Sequence, residues 1–289
     1  MMSKRLRTLD DVKTLASING VPIAVLDDLC RPLPDRTKDP EHWRQRSSAG
    51  FLTGSSPSLI DVMMDDWIRV AGVLGTSHTH IADVLRTLLS RVERAGPEFV
   101  CEERCWFRPE VNPPVVLKLQ RQRYNAPQWS PFGTLPMRIN EKKDSADGKE
   151  HCWDEELIIT NEALGLQMVV ARGVIDFIDE IGFYEGGDDN PYRVDPLLLI
   201  ATLTYAPGMV EPPHWLRAEA VERIKRIADS KVESMKQEAR SVITEIRSNL
   251  RKEDAEDAEK WIDDFLAHTQ AQQDQERAHW NTILQRLLK

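Results

Sequence analysis

Two histidines one residue apart, His78 and His80, sit inside the stretch VAGVLGTSHTHIADVL. At the end of a barrel strand such a pair supplies two metal ligands, but the site also needs histidines and an aspartate on later strands. Of the other histidines (His42, His151, His214, His268, His279), three fall near or within a helical tail, and no alternating strand–helix texture accompanies them. Cys101, Cys105, His151 and Cys152 match a zinc set in residue type. On a strand, however, Cys101 and Cys105 stand about 13 Å apart, and two thiolates about 2.3 Å from one zinc cannot span that distance. Buried free thiols fit better, and no metal or cofactor is expected. Carboxylates cluster at Asp154–Glu155–Glu156, at Asp176, Asp179 and Glu180, and at Asp188–Asp189. Asp176 and Glu180 share a helix face, an arrangement usable in metal-assisted hydrolysis; a solvated acidic face is the plainer account. LQRQRYNAPQWSPFGTLP puts Arg121 and Arg123 on one strand face, followed by Tyr124, Trp129 and Phe132. Cations beside aromatics stack bases or hold an extended peptide; alternatively, the aromatics fold back onto a core.

The same histidine stretch also has the spacing of two helices joined by a tight turn. Ala71 is small where two helices would touch, Gly75 tolerates positive φ four residues later, and Val70, Leu74, Ile81 and Val84 fall on a buried side. Ser77 is placed as the N-cap of the second helix. Residues Trp67 to Arg86 thus resemble the helix-turn-helix of repressor-type DNA-binding proteins in the A-x3-G-x5-I-x2-V spacing, over about 20 of 289 residues. The resemblance implies double-stranded DNA as a partner. It places Ser77, His78, Thr79, Ala82 and Asp83 on the groove side, with Arg69 and Arg86 the nearest cations.

The elements that must position these residues change character along the chain. Residues 1–95 read as mostly helical, with apolar steps of three and four in LIDVMMDDWIRVAGVL after Ser56-Pro57 and a short candidate strand at Val21–Leu26. From 96 to 210 the segments FVCEERCWF, VVLKLQRQRY, ELIIT and LQMVVAR are β-branched and separated by turn formers. GVIDFIDEIGFY then returns to helical period, ended by Gly186-Gly187, and PLLLIATL follows Asp195 as a second helix. Residues 211–289 are almost free of Gly and Pro. The positions Val221, Ile224, Ala228, Val232, Met235, Ala239, Val242, Ile246 and Leu250 make a helical seam of period about 3.6. A second helix carries Trp261, Ile262, Phe265, Trp280, Ile283, Leu284 and Leu287 around a polar stretch, predicting an antiparallel hairpin.

The expected fold class is therefore α+β: a mostly helical N-terminal part, a mixed middle domain and a C-terminal helical hairpin. Between Glu141 and Asp189 there are 14 Asp and Glu against four Lys and Arg, so this segment accounts for the whole net charge of −9. It would repel phosphate backbones. Four cysteines in 289 residues make no disulfide framework, the N-terminus lacks a signal-peptide apolar region, and no apolar run is long enough to cross a bilayer. A cytoplasmic protein without membrane contact is expected.

No serine-, cysteine- or histidine-centred nucleophile and no glycine-rich phosphate loop is present. The leading expectation is a non-enzymatic DNA-associated regulatory or accessory protein that self-associates through 211–289. The alternatives are an assembly component whose hairpin docks a partner without DNA contact, and a carboxylate-dependent hydrolase in the acidic middle domain.

Overall fold

The computed structural model describes residues 6–32, 50–53, 56–96, 98–104, 110–132, 152–187, 190, 193–209, 218–249 and 255–288. The chain divides into two units, 1–215 and 216–289, each with its own packing.

The first unit opens with α1 (Leu9–Lys13), the two-residue strands β1 (Ser17–Ile18) and β2 (Val21–Pro22), and α2 (Ile23–Leu29). The strand expected over Val21–Leu26 is thus confined to its first two residues. Asn19 and Gly20, both at positive φ, turn β1 into β2, and the chain then coils. α3 (Leu59–Ile68) is capped by the Ser58 hydroxyl. One π-helical turn, Arg69–Val73, extends it. Gly75, at φ 61°, reverses the chain and Ser77 caps α4 (His78–Ala95).

A four-stranded antiparallel sheet follows in the order β3 (Glu98–Glu103), β4 (Val115–Trp129), β5 (Cys152–Asn161), β6 (Leu166–Ala171). Alternation sends Leu117, Leu119, Leu157, Ile159, Met168 and Val170 into the core and leaves Val100, Val116 and Val169 on the other face. α5 (Arg172–Ile181) and α6 (Pro196–Thr204) pack against this sheet, and α4 packs against α5, β3 and β4. Helix α5 ends at Gly182, at φ 69°, rather than at Gly186-Gly187. Asp195 caps α6 through bonds from Leu197 N and Leu198 N, with Pro196 in its first turn.

The α+β class holds, but the expected boundary near residue 95 does not separate two domains. An amphipathic α4 alone cannot bury its apolar face, and it finds the sheet and α5 to do so.

The second unit is α7 (Ala218–Asn249) packed along α8 (Ala255–Leu287). Ile224, Val232, Ala239 and Ile243 of α7 and Ile262, Trp280, Ile283 and Leu287 of α8 are buried. Lys231 lies over the Trp280 ring at 5.0 Å, as antiparallel pairing of the two helices requires. No helix among the described residues is long and apolar enough to cross a membrane.

Candidate functional site

The residues singled out around His78 meet at the N-terminus of α4, where a pocket is lined by Leu6, Arg7, Trp67, Val70, Ala71, Thr76, Ser77, His78 and Thr79. Local backbone chemistry builds it. The π turn shifts Leu74 N–H to Arg69 O, Thr76 N–H bonds Val70 O, and Gly75 supplies the left-handed step. The Ser77 hydroxyl accepts from His80 N–H at 3.1 Å.

His78 points inward. Its ring stacks against Trp67 with centroids 4.3 Å apart, and Nδ1 lies 3.0 Å from the Tyr184 hydroxyl. Burial pushes its pKa down to about 3, so the imidazole is neutral across the physiological range. Burial, and then the negative charge of Asp66, hold the Tyr184 phenol protonated. Behind this pair the Asp66 carboxylate receives Arg193 at 2.5 Å; Arg193 also donates to the Gly186 carbonyl. Burial raises the Asp66 carboxyl, against the pull of Arg193. Burial opposes the Arg193 charge, but Asp66 and Asp195 keep the guanidinium protonated. The cluster ties α3, α4 and the start of α6 together. A general acid or base needs a pKa near the working pH, and neither His78 nor Tyr184 has one.

The groove-facing assignment of these side chains requires correction. His78 and Ala82 are buried, at 4% and 0% exposure. Arg86 reaches Asp179 at 2.7 Å and Asp176 at 2.8 Å, and Arg69 pairs with Asp65 at 2.7 Å and Asp66 at 3.4 Å. The expected first contact point, Ala71, is exposed, while Val70, Leu74 and Ile81 are buried as expected. Ser77, Thr79 and Asp83 retain exposed or half-buried side chains; Thr79 accepts from Arg7 at 3.2 Å. Two helices joined by a turn at Gly75 do form here, but Ala71 is not their contact point, and of the residues assigned to a groove side His78 and Ala82 are buried while Ser77, Thr79 and Asp83 are not.

The arginine–aromatic stretch is rearranged too. Glu155, on the inner face of the sheet, gathers Arg121, Arg123 at 2.8 Å and Arg172 at 2.9 Å. Burial raises the Glu155 carboxyl, but Arg121 and Arg172 outweigh it and hold the group below its ordinary value. Phe132 is fully buried and meets Phe177 edge-on at 4.9 Å and Phe183 at 5.5 Å, so it belongs to the core. The side chains of Tyr124 and Trp129 lie outside the described residues. Asp176 joins Asp179 on Arg86 rather than forming an open carboxylate pair with Glu180. Cys101 is buried in β3; Cys105 and His151 lie outside the described residues. Among the described residues no three His, Cys, Asp or Glu side chains are grouped to hold a metal ion.

Tyr184, Arg193 and Arg7 carry no signal in the sequence because they are brought to His78, Asp66 and Thr79, respectively, across long chain separations, which no local spacing encodes. No protein-family model, curated protein or solved structure matches this chain.

Proposed function

We propose that this protein is a non-catalytic assembly component that associates with a second copy of itself through the α7–α8 hairpin. The observation that carries this reading is the apolar surface beside the seam of α8. Trp261 and Phe265 stack with centroids 5.1 Å apart and planes 9° from parallel, yet Trp261 is 48% and Leu266 44% exposed. They flank the buried Ile262. A seam of single width interrupted by buried Thr269 and Gln273 gives two long helices little packing energy. Polar groups at core positions favour register over stability. Exposed apolar side chains on both flanks of the seam, Trp261 with Phe265 on one and Leu266 on the other, offer contacts to a further helix pair, and the same surface on two copies is self-complementary about a twofold axis.

Sedimentation of the full chain over a range of concentrations tests the reading. Association is expected, with Trp261→Glu combined with Leu266→Glu giving monomers of unchanged helix content. Val232→Asp, which buries a charge in the seam, should weaken the hairpin itself. A wild-type chain that stays monomeric at the highest concentration refutes self-association.

DNA contact by residues 67–86 is a second reading, favoured by the left-handed Gly75 and the Ser77 cap. His80 and Asp83 on α4 are exposed beside the half-buried Thr79. A random-sequence duplex at low salt distinguishes the two. The DNA reading expects binding whose logarithm falls by roughly 0.9 per phosphate contact against log salt, whereas the assembly reading expects none.

A further inference from the structure

Gln273 sits in the middle of the α8 seam, 4% exposed, and among the described residues no hydrogen bond reaches its amide. Its neighbours on the helix do have partners. The Thr269 hydroxyl donates to Phe265 O at 2.9 Å, and the Trp280 indole donates to Glu276 Oε1 at 2.8 Å. A buried amide loses water on folding and needs a partner to replace it. The nitrogen and oxygen of Gln273 are not among the fully enclosed polar atoms that lack a partner, so the amide tip opens on the hairpin surface.

Helix α7 supplies no such partner. Lys231 lies over Trp280, so Gln273, seven residues before Trp280, stands level with Glu238 and Ala239, seven and eight residues after Lys231. The Glu238 side chain is exposed, and the Ala239 methyl has neither donor nor acceptor.

The open amide continues the surface that carries the contact between copies. Leu266, Thr269, Gln273, Glu276, Trp280 and Ile283 recur at steps of 3, 4, 3, 4 and 3, the spacing of a coiled-coil seam. Leu266 and Gln273 hold equivalent places one heptad apart, about 20° around the helix and about 10 Å along it. Leu266 is 44% exposed, so α7 leaves this part of the stripe uncovered. A primary amide is also self-complementary, because it donates through its NH2 and accepts through its carbonyl. Two of them facing across a twofold axis satisfy each other by reciprocal N–H···O bonds. An aliphatic group opposite would strand both ends of the amide. A single polar residue at a seam position fixes register and chain number in this way.

We propose that Gln273 sets the register of self-association by pairing its amide with that of the same residue in a second copy, across the twofold axis. The pairing rests on association through the hairpin and adds the residue that aligns it.

Charge exchange at this one position tests the pairing, read by sedimentation of the full chain at neutral pH. Gln273→Glu and Gln273→Lys each set like charges face to face, and each should weaken association by about tenfold or more with helix content unchanged. Mixed in equal amounts, the two should recover association close to the wild-type strength, because opposite charges then meet. Recovery requires that position 273 face itself. If either variant unfolds, Gln273→Cys takes its place: mild oxidation of the associated chain should give a dimer whose mapped disulfide joins position 273 to position 273. A mixture as weak as its components, or a cysteine variant that associates without cross-linking there, overturns the amide pair and leaves the hairpin contact standing. Association of both charged variants at wild-type strength overturns it too, since the amide then meets only water. A wild-type chain that stays monomeric at every concentration removes the pair and the hairpin contact together.

Discussion

Arg86 Nη1 lies 2.7 Å from Asp179 Oδ2, across 93 residues of sequence, and its other terminal nitrogen lies 2.8 Å from Asp176 Oδ1. This one guanidinium clamps α4 to α5. The Asp179 side chain is 3% exposed and that of Asp176 10%, so removing the arginine leaves two desolvated carboxylates. Breaking a buried pair costs about 3–5 kcal/mol. Because the Arg86 side chain is 27% exposed, solvent screening reduces the expected loss for Arg86→Leu to about 2–3 kcal/mol. Urea unfolding measures it. Adding Asp179→Leu should recover part of the loss, and a single-variant loss under about 0.5 kcal/mol would mean the clamp contributes nothing.

Acid should act first at His78. The unfolded chain takes up this proton near pH 6.5, whereas burial holds the folded imidazole neutral down to about 3. The folded-state pKa is depressed, so this contribution to stability is intact above pH 6.5 and is lost as pH falls through that window. The slope is about 1.4 kcal/mol per pH unit. Stability curves at successive pH values should be flatter in this window for His78→Phe than for the wild type. Parallel curves would show that the imidazole titrates normally.

Two glycines at positive φ separate strain from close packing. Gly182, at φ 69°, ends α5 with the Trp67 indole against it, so an added Cβ would run into the ring. That indole donates to Ile181 O at 3.3 Å and cannot retreat without losing the bond. Gly208, at φ 80°, has open space around it. Gly208→Ala should cost only the left-handed strain, roughly 1–2 kcal/mol. Gly182→Ala should cost clearly more, about 3 kcal/mol or above, by adding the steric term. Equal shifts in the denaturant midpoint would show that the indole yields freely.

Cys101 should be inert in the native protein. Burial first, and then Glu103, push its thiol up to about 11. The thiolate is the reacting species, and it is scarce at neutral pH. Mass mapping after iodoacetamide treatment should find Cys101 and the buried Cys30 unlabelled in buffer and labelled in urea. Rapid labelling of Cys101 in buffer would reveal opening of the β3 edge.

Periodicity alone made most of the secondary structure legible. The alternating segments became β3 to β6, the three-and-four steps became α3, α4, α5 and α7, and Ser77, Gly75 and Asp195 took the cap and turn roles their chemistry suits. These are local properties, decided by neighbouring residues within a turn or two. Tertiary structure decided what each exposed-looking polar residue was for. The sequence shows Arg86 and His78 on one helix, but not that Asp179 and Tyr184 would meet them, 93 and 106 residues later. Gly182, in the left-handed conformation, ends α5 ahead of Gly186-Gly187, and only the fold shows that the space beside it is taken by the Trp67 indole. The boundary near residue 95 vanished for the same reason: an amphipathic helix specifies that one face be buried, but not against which element.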